Sequence, residues 1–300
     1  MTIDQIITLI INIGICLLFV VPVRFALAKH LGVDAKHELA TKDNFAFGVS
    51  IAGGVLGLIF MLTGVQSGEA LDSHFQEAMS LLLFGALGSL LLVCGVFVQD
   101  KIVMREVNLA EEIRAGNMSA AIVVATNMAV IGLVAKRTLT WVESDTWSGL
   151  LPVVAVFVLS QIVLASVALL RMAIYRSRNN NQVAQELGVS KTWQGAIKAG
   201  NVAIALRYAG QLIATGVAIA ATSFLVSGEV IYLAASMAYW ALYAFGLAFV
   251  IWLAYRLFLP LVLFKVNVVK EVDHQQNIGV ASIEAALFIS LAFMILAYLV

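Results

Sequence analysis

Charge is scarce in this chain: lysine, arginine, aspartate and glutamate supply 12% of its 300 residues, while 62% are apolar. That balance excludes an ordinary soluble domain and fits a chain whose main solvent is a bilayer. Its 18 basic and 18 acidic residues cancel, so there is no overall pull toward nucleic acid, and no nucleic-acid partner is expected. Cysteine is nearly absent. Cys16 and Cys94 each lie in an apolar run, which leaves no disulfide framework and no thiolate metal site. The chain also lacks a Gly-rich phosphate loop followed by Lys and Ser/Thr, an HExxH and a GxSxG, and its four histidines are scattered through loops. Neither an enzyme nor a cofactor or metal is expected. The first apolar run carries its basic residues after it, at Arg24 and Lys29, so a cleaved signal peptide is not expected.

Long apolar runs are what the chain does have. A spanning helix needs about 20 mostly apolar residues, and such windows lie near 5–29, 44–66, 78–100, 117–135, 149–175, 201–227, 230–258 and 277–299. The expected fold is an all-α polytopic membrane bundle of about eight transmembrane helices, surrounded by the lipid bilayer. Loops on one side hold Lys36, Lys42, Lys101, Arg105, Arg114, Arg176, Arg178, Lys191, Lys198, Lys265 and Lys270, and the same side takes Arg24, Lys29, Arg171 and Arg256 at span ends. The other side holds Lys136 and Arg137. Lysine and arginine are retained in the cytoplasm during insertion, so the first side is read as cytoplasmic and both termini as extracytoplasmic. Trp141 and Trp147 fall at an outer edge, as interfacial anchors.

An asparagine opens every second span, at Asn44, Asn117, Asn201 and Asn277. The spacing is close to one helical hairpin, which predicts four hairpin repeats running in the same direction. Aligned on the asparagine, four columns are small. They are position two (Ala46, Ser119, Ala203, Gly279), position four (Gly48, Ala121, Ala205, Ala281), position eight (Ala52, Ala125, Ala209, Ala285) and position nine (Gly53, Thr126, Gly210, Ala286). At about 100° per residue these columns make two thin faces on each helix. In lipid, small residues let helix backbones approach. The Asn-headed helices are therefore expected at the centre, each touching two neighbours, in a pseudo-fourfold bundle. The longer central spacing and the polar loop 176–200 divide the chain into two duplicated halves, 1–148 and 149–300.

The collar sequence Glu111-Glu112-Ile113-Arg114-Ala115-Gly116-Asn117-Met118-Ser119-Ala120-Ala121, and Glu271 through Asn277 to Ala281 with Glu284, resemble the YjfL-like bacterial inner membrane proteins, domain of unknown function 350. The resemblance covers two units, about 40–136 and 197–299, and leaves spans 5–29 and 149–175 as departures. It implies a bacterial plasma (inner) membrane protein and brings no established activity.

Two charges fall inside spans, Arg207 and Glu284. Both sit about 9–10 Å along their helices from the same end, and an ionisable group at that depth marks a functional candidate. Equal depth permits an ion pair, although Arg207 points about 120° from its own asparagine and need not face Glu284. Asn127 and Gln211 correspond at position ten, and Ser50 corresponds to Arg207. These residues are either interhelical glue or the lining of a polar path. The asparagines suit helix N-caps, with a ring of four positive helix ends as the alternative. Glu38, Glu111 and Glu271 precede an asparagine by six, and Arg114, Lys198 and His274 precede one by three, which predicts a solvated charged collar. Two functions fit this pattern: a channel- or transporter-like bundle for a small ion or solute, or a scaffold that recruits a cytosolic protein through the basic loops 30–43, 101–116 and 176–200.

Overall fold

The computed structural model describes residues 3–66, 73–139, 150–180, 186, 188–222 and 233–299. Trp141 and Trp147 lie outside them. Among the described residues eight helices are long and apolar enough to cross a membrane. We number them α1 (Ile3–Leu31), α2 (Phe45–Gln66), α3 (His74–Val98), α4 (Met118–Leu139), α5 (Leu150–Asn179), α6 (Val202–Thr222), α7 (Leu233–Val262) and α8 (Ile278–Leu299). The fold is an all-α polytopic membrane bundle.

Each Asn-headed helix is preceded by a collar segment: short α-helices at Ala35–Ala40, Leu109–Arg114 and Trp193–Lys198, and a π-helical turn at Lys270–His274. The residue just before each asparagine has positive φ, at Asp43, Gly116, Gly200 and Gln276. That left-handed residue stops the collar, and the asparagine then starts the span. Its Oδ1 accepts a first-turn amide in all four copies, from Phe47, Ser119, Ile204 and Val280 at 3.0 to 3.1 Å. Glycine fills the left-handed position in the two middle copies, where it is unstrained.

Three asparagines also hold an acid. Asn44 Nδ2 donates to Glu38 and Asn277 Nδ2 to Glu271, each at 2.8 Å. The second copy uses Glu112 rather than Glu111. The turn explains the shift: the Asn44 and Asn277 amides bond the carbonyl six residues back, and those of Asn117 and Asn201 the carbonyl five back. Nor is the collar simply solvated, because Glu38 is buried. Its carboxyl is held below the ordinary range, first by its hydrogen bond from Lys42 Nζ at 2.7 Å, against the opposing effect of burial. A depressed folded pKa gives stability that is present above the unfolded value of about 4.3 and lost as pH falls through the folded value. Thermal melts should therefore show the native chain losing its advantage over Glu38→Gln only below about pH 4. An advantage that disappears near neutrality would contradict this.

The first two asparagines also link one repeat to the next. Asn44 Nδ2 donates to the Ile113 carbonyl at 3.0 Å and Asn117 Nδ2 to the Ile197 carbonyl at 2.9 Å. Each of those carbonyls lies four residues before the next asparagine. Asn117→Ala removes a cap, a carboxylate bond and this link together. We expect it to exceed the usual cap loss of about 0.5–2 kcal/mol, and to exceed Asn277→Ala, since Asn277 heads the last repeat. Unfolding of the two variants in the same detergent measures the difference.

The Asn-headed helices run in the same direction. Along α2 and α4 the meeting residues rise in number together: Gly53 lies against Ala125, Gly57 against Met128 and Gly64 against Lys136. The predicted faces also mate. Position nine of α2 (Gly53) meets position eight of α4 (Ala125), and position nine of α6 (Gly210) meets position eight of α8 (Ala285). The arrangement, however, is an open row, α2–α4–α6–α8, rather than a ring: α2 and α8 do not pack face to face. Ala52, position eight of α2, and Ala286, position nine of α8, are both exposed. The expected pseudo-fourfold bundle and ring of four helix ends are therefore corrected. Helix α1 takes one side of α2, where Val23 and Leu27 lie against Gly54, and α8 turns a face outward with Ile283, Phe293 and Met294 exposed. The small columns specify how α2 meets α4 and α6 meets α8, and carry no instruction to close. Helices α4 and α6 are the most buried spans, with α1 and α3 flanking the first half of the row and α5 and α7 the second.

Candidate functional site

Arg207 and Glu284 come together. Arg207 Nε donates to Glu284 Oε2 at 2.7 Å, because α6 and α8 cross at Gly210 and Ala285, one turn or less from both. The arginine also donates to Asp273 through Nη1 and to the Val268 carbonyl through Nη2 at 3.3 Å. The second oxygen of Glu284 accepts the Tyr255 hydroxyl. Asp273 in turn accepts from Asn179 Nδ2 at 3.2 Å, and the Asn179 amide oxygen lies 3.2 Å from His274 Nε2. Arg207, Asp273 and Glu284 are all buried. One cation with two carboxylates, bound by a phenol and an amide, is a satisfied network of the kind that a low-dielectric interior requires.

This network forms part of the wall of a cleft of about 280 Å³ lined by Arg171, Arg178, Arg207, Gln211, Tyr255, Arg256 and Glu284 among others. Four arginines and a single carboxylate face it. Arg171 lies over the Phe288 ring, 5.3 Å from its centroid, and Phe288 stacks on Tyr255 at 3.8 Å. Arg256 lies 6.0 Å from the Trp252 centroid. The matching place in the first half, among α1, α2, α3 and α4, is a groove of about 700 Å³ lined mainly by apolar residues such as Phe19, Leu58 and Val96. Its polar residues Lys29, His30, Asp100 and Lys101 sit at one end. The two halves thus repeat a cavity and differ in its chemistry.

Of the other candidates, only Gln211 lines the cleft. Asn127 is buried and accepts the Tyr208 hydroxyl at 3.0 Å between α4 and α6. Ser50 is fully buried, and its hydroxyl donates to the Ala46 carbonyl of its own helix at 2.9 Å. Neither reaches the arginine cleft. The sequence does not mark Asp273, Tyr255 or Asn179 as site residues, and it places Arg171 and Arg256 only as basic residues at span ends. A signal for Asp273 was available: it stands four residues before its asparagine, where the other copies carry Ala40, Ile113 and Ile197.

The family model described as Domain of Unknown Function (DUF350) matches residues 1–139, 72–190 and 145–299. Comparison with curated proteins and with solved structures gave no match. The leading spans α1 and α5, read from the sequence as departures from the family, fall within the first and third matches. The middle match begins just before α3, one hairpin out of step with its neighbours, as a hairpin-level repeat requires. Matched along nearly its whole length in overlapping tandem copies, this multi-pass membrane chain belongs to the Domain of Unknown Function 350 family.

Proposed function

We propose that the protein is a channel- or transporter-like bundle that handles a small ion or solute in its second half, without enzymatic chemistry. The observation that carries this is the Arg207–Glu284–Asp273 network at the wall of an arginine-lined cleft. Ionisable groups inside spans are costly, and where retained they mark ion, proton or substrate paths. With the ring absent, the route runs beside the α6–α8 pair instead of down a central axis. The collar side is cytoplasmic by its lysine and arginine excess, with both termini outside and the plasma membrane of a bacterium as the setting. For the alternative, a scaffold that recruits a cytosolic protein, the support is that Lys36, Lys42, Lys101, Arg105 and Arg114 are exposed on the collar side; Gln194 ties the third collar to the second, donating to the Val103 carbonyl at 3.0 Å and accepting from the Glu106 amide at 2.7 Å.

Sealed proteoliposomes test the proposal. A panel of small inorganic and organic ions should yield one flux that Glu284→Gln reduces several-fold or more. A folded, reconstituted protein that passes none of them would overturn it. Reporter fusions at the two termini check the orientation independently.

A further inference from the structure

We propose that the cleft between α5 and α7 binds an oxyanion of the phosphate type, either free or carried by a phospholipid head group, with Arg171 and Arg256 as its main donors. This rests on the reading of the cleft as a binding site and names the chemistry it takes.

Both carboxylates of the network, of which Glu284 faces the cleft, are already committed: Glu284 to Arg207 and Tyr255, and Asp273 to Arg207 and Asn179. Among the described residues, no carboxylate pairs with Arg171 or Arg256. Yet Arg171 lies two turns further into the membrane than Arg178 on the same face of α5, about 10 Å deeper along the helix. A guanidinium at that depth needs a counter-charge.

What holds these two arginines also matters. Arg171 lies over Phe288 and Arg256 over Trp252. An aromatic face fixes a guanidinium plane without using its N–H groups, so among the described residues the donors of each fork remain for a ligand. Arg207, by contrast, spends its donors on Glu284, Asp273 and Val268. Planar forks lining one cleft from two helices suit a phosphate oxyanion, which accepts bidentate pairs from more than one side. A cavity of about 280 Å³ has room for one such group. Basic pockets between spans near the membrane face are also where phospholipid head groups lodge, so both sources share one chemistry.

The experiment uses the full chain, stripped of lipid, in a phosphate-free alkyl maltoside detergent with two probes. Inorganic phosphate is titrated by calorimetry, and added phosphatidylglycerol is followed by native mass spectrometry as lipid retained by the protein. Native protein should bind one of the probes, and Arg171→Gln/Arg256→Gln should weaken that binding about tenfold or more. Loss of phosphate binding identifies a free anion, and loss of lipid retention identifies a head group. Arg256→Gln alone changes an exposed side chain and gives a reading should the double variant fold poorly; Arg171→Lys should fall between, keeping charge while losing the fork. If the native protein binds neither probe, or if binding is unchanged in the variants, the proposal is overturned. Because binding is read without flux, a protein that binds but moves nothing overturns the transport reading and leaves this one standing.

Discussion

Arg207→Met is expected to be among the most damaging single substitutions in the chain, costing about 3–5 kcal/mol, because it strands two buried carboxylates. Glu284 and Asp273 are 1% and 3% exposed, and both accept directly from the guanidinium of this one side chain, with Arg178 acting on them from further away. Methionine fills similar space, so the loss is one of charge and hydrogen bonding rather than of volume. The companion variant separates these causes. Arg207→Met combined with Asp273→Asn and Glu284→Gln removes the whole charge set and should recover most of the loss, since neutral amides keep bonds to Asn179 and Tyr255 at a much smaller desolvation penalty. Unfolding in one detergent, followed by denaturant or heat, measures all of these variants. Single and triple variants of equal stability would mean that the ion network does not hold α6, α8 and the fourth collar together.

That network also shows where sequence reading stops. The eight spans, the four asparagines and the two small faces were legible because each is a local pattern: hydropathy over about 20 residues, one capping residue, and columns separated by fixed angles. Local patterns identify which faces touch, and Gly53 on Ala125 and Gly210 on Ala285 are those faces. Whether a row of such contacts closes depends on what competes for its end faces. Here α1 occupies part of α2 while Ala52 and Ala286 remain exposed, and nothing in the columns themselves encodes that. Pairing of Arg207 with Glu284 was permitted by equal depth but not required, since it depends on how α6 and α8 rotate at their crossing. Asp273 was hidden for a different reason. It sits in a collar that reads as a solvated loop and becomes interior only when the collar folds back under α6 and α5.

The second large effect comes from the α2–α4 contact. A Cβ on Gly132 would fall on the Gly57 carbonyl, and one on Gly57 would fall on the Met128 carbonyl. These are backbone atoms that cannot swing aside, so the helices themselves must separate. Overpacking a fitted core costs about 1–3 kcal/mol where side chains can adjust, and Gly132→Val should exceed that range. Two other glycines provide the scale. At Gly88 the obstacle is the Met61 side chain, a flexible thioether, so Gly88→Ala should cost less. At Gly246 nothing lies within 4 Å, and Gly246→Ala should gain about 0.5–1 kcal/mol from helix propensity alone. The order Gly132, Gly88, Gly246 in melting temperature therefore tests a geometric statement: two same-direction helices are held at backbone contact by missing side chains. Since lipid offers no apolar driving force between helices, removing that contact removes much of what joins the first two repeats, whereas an equal response at all three sites would locate the stability elsewhere.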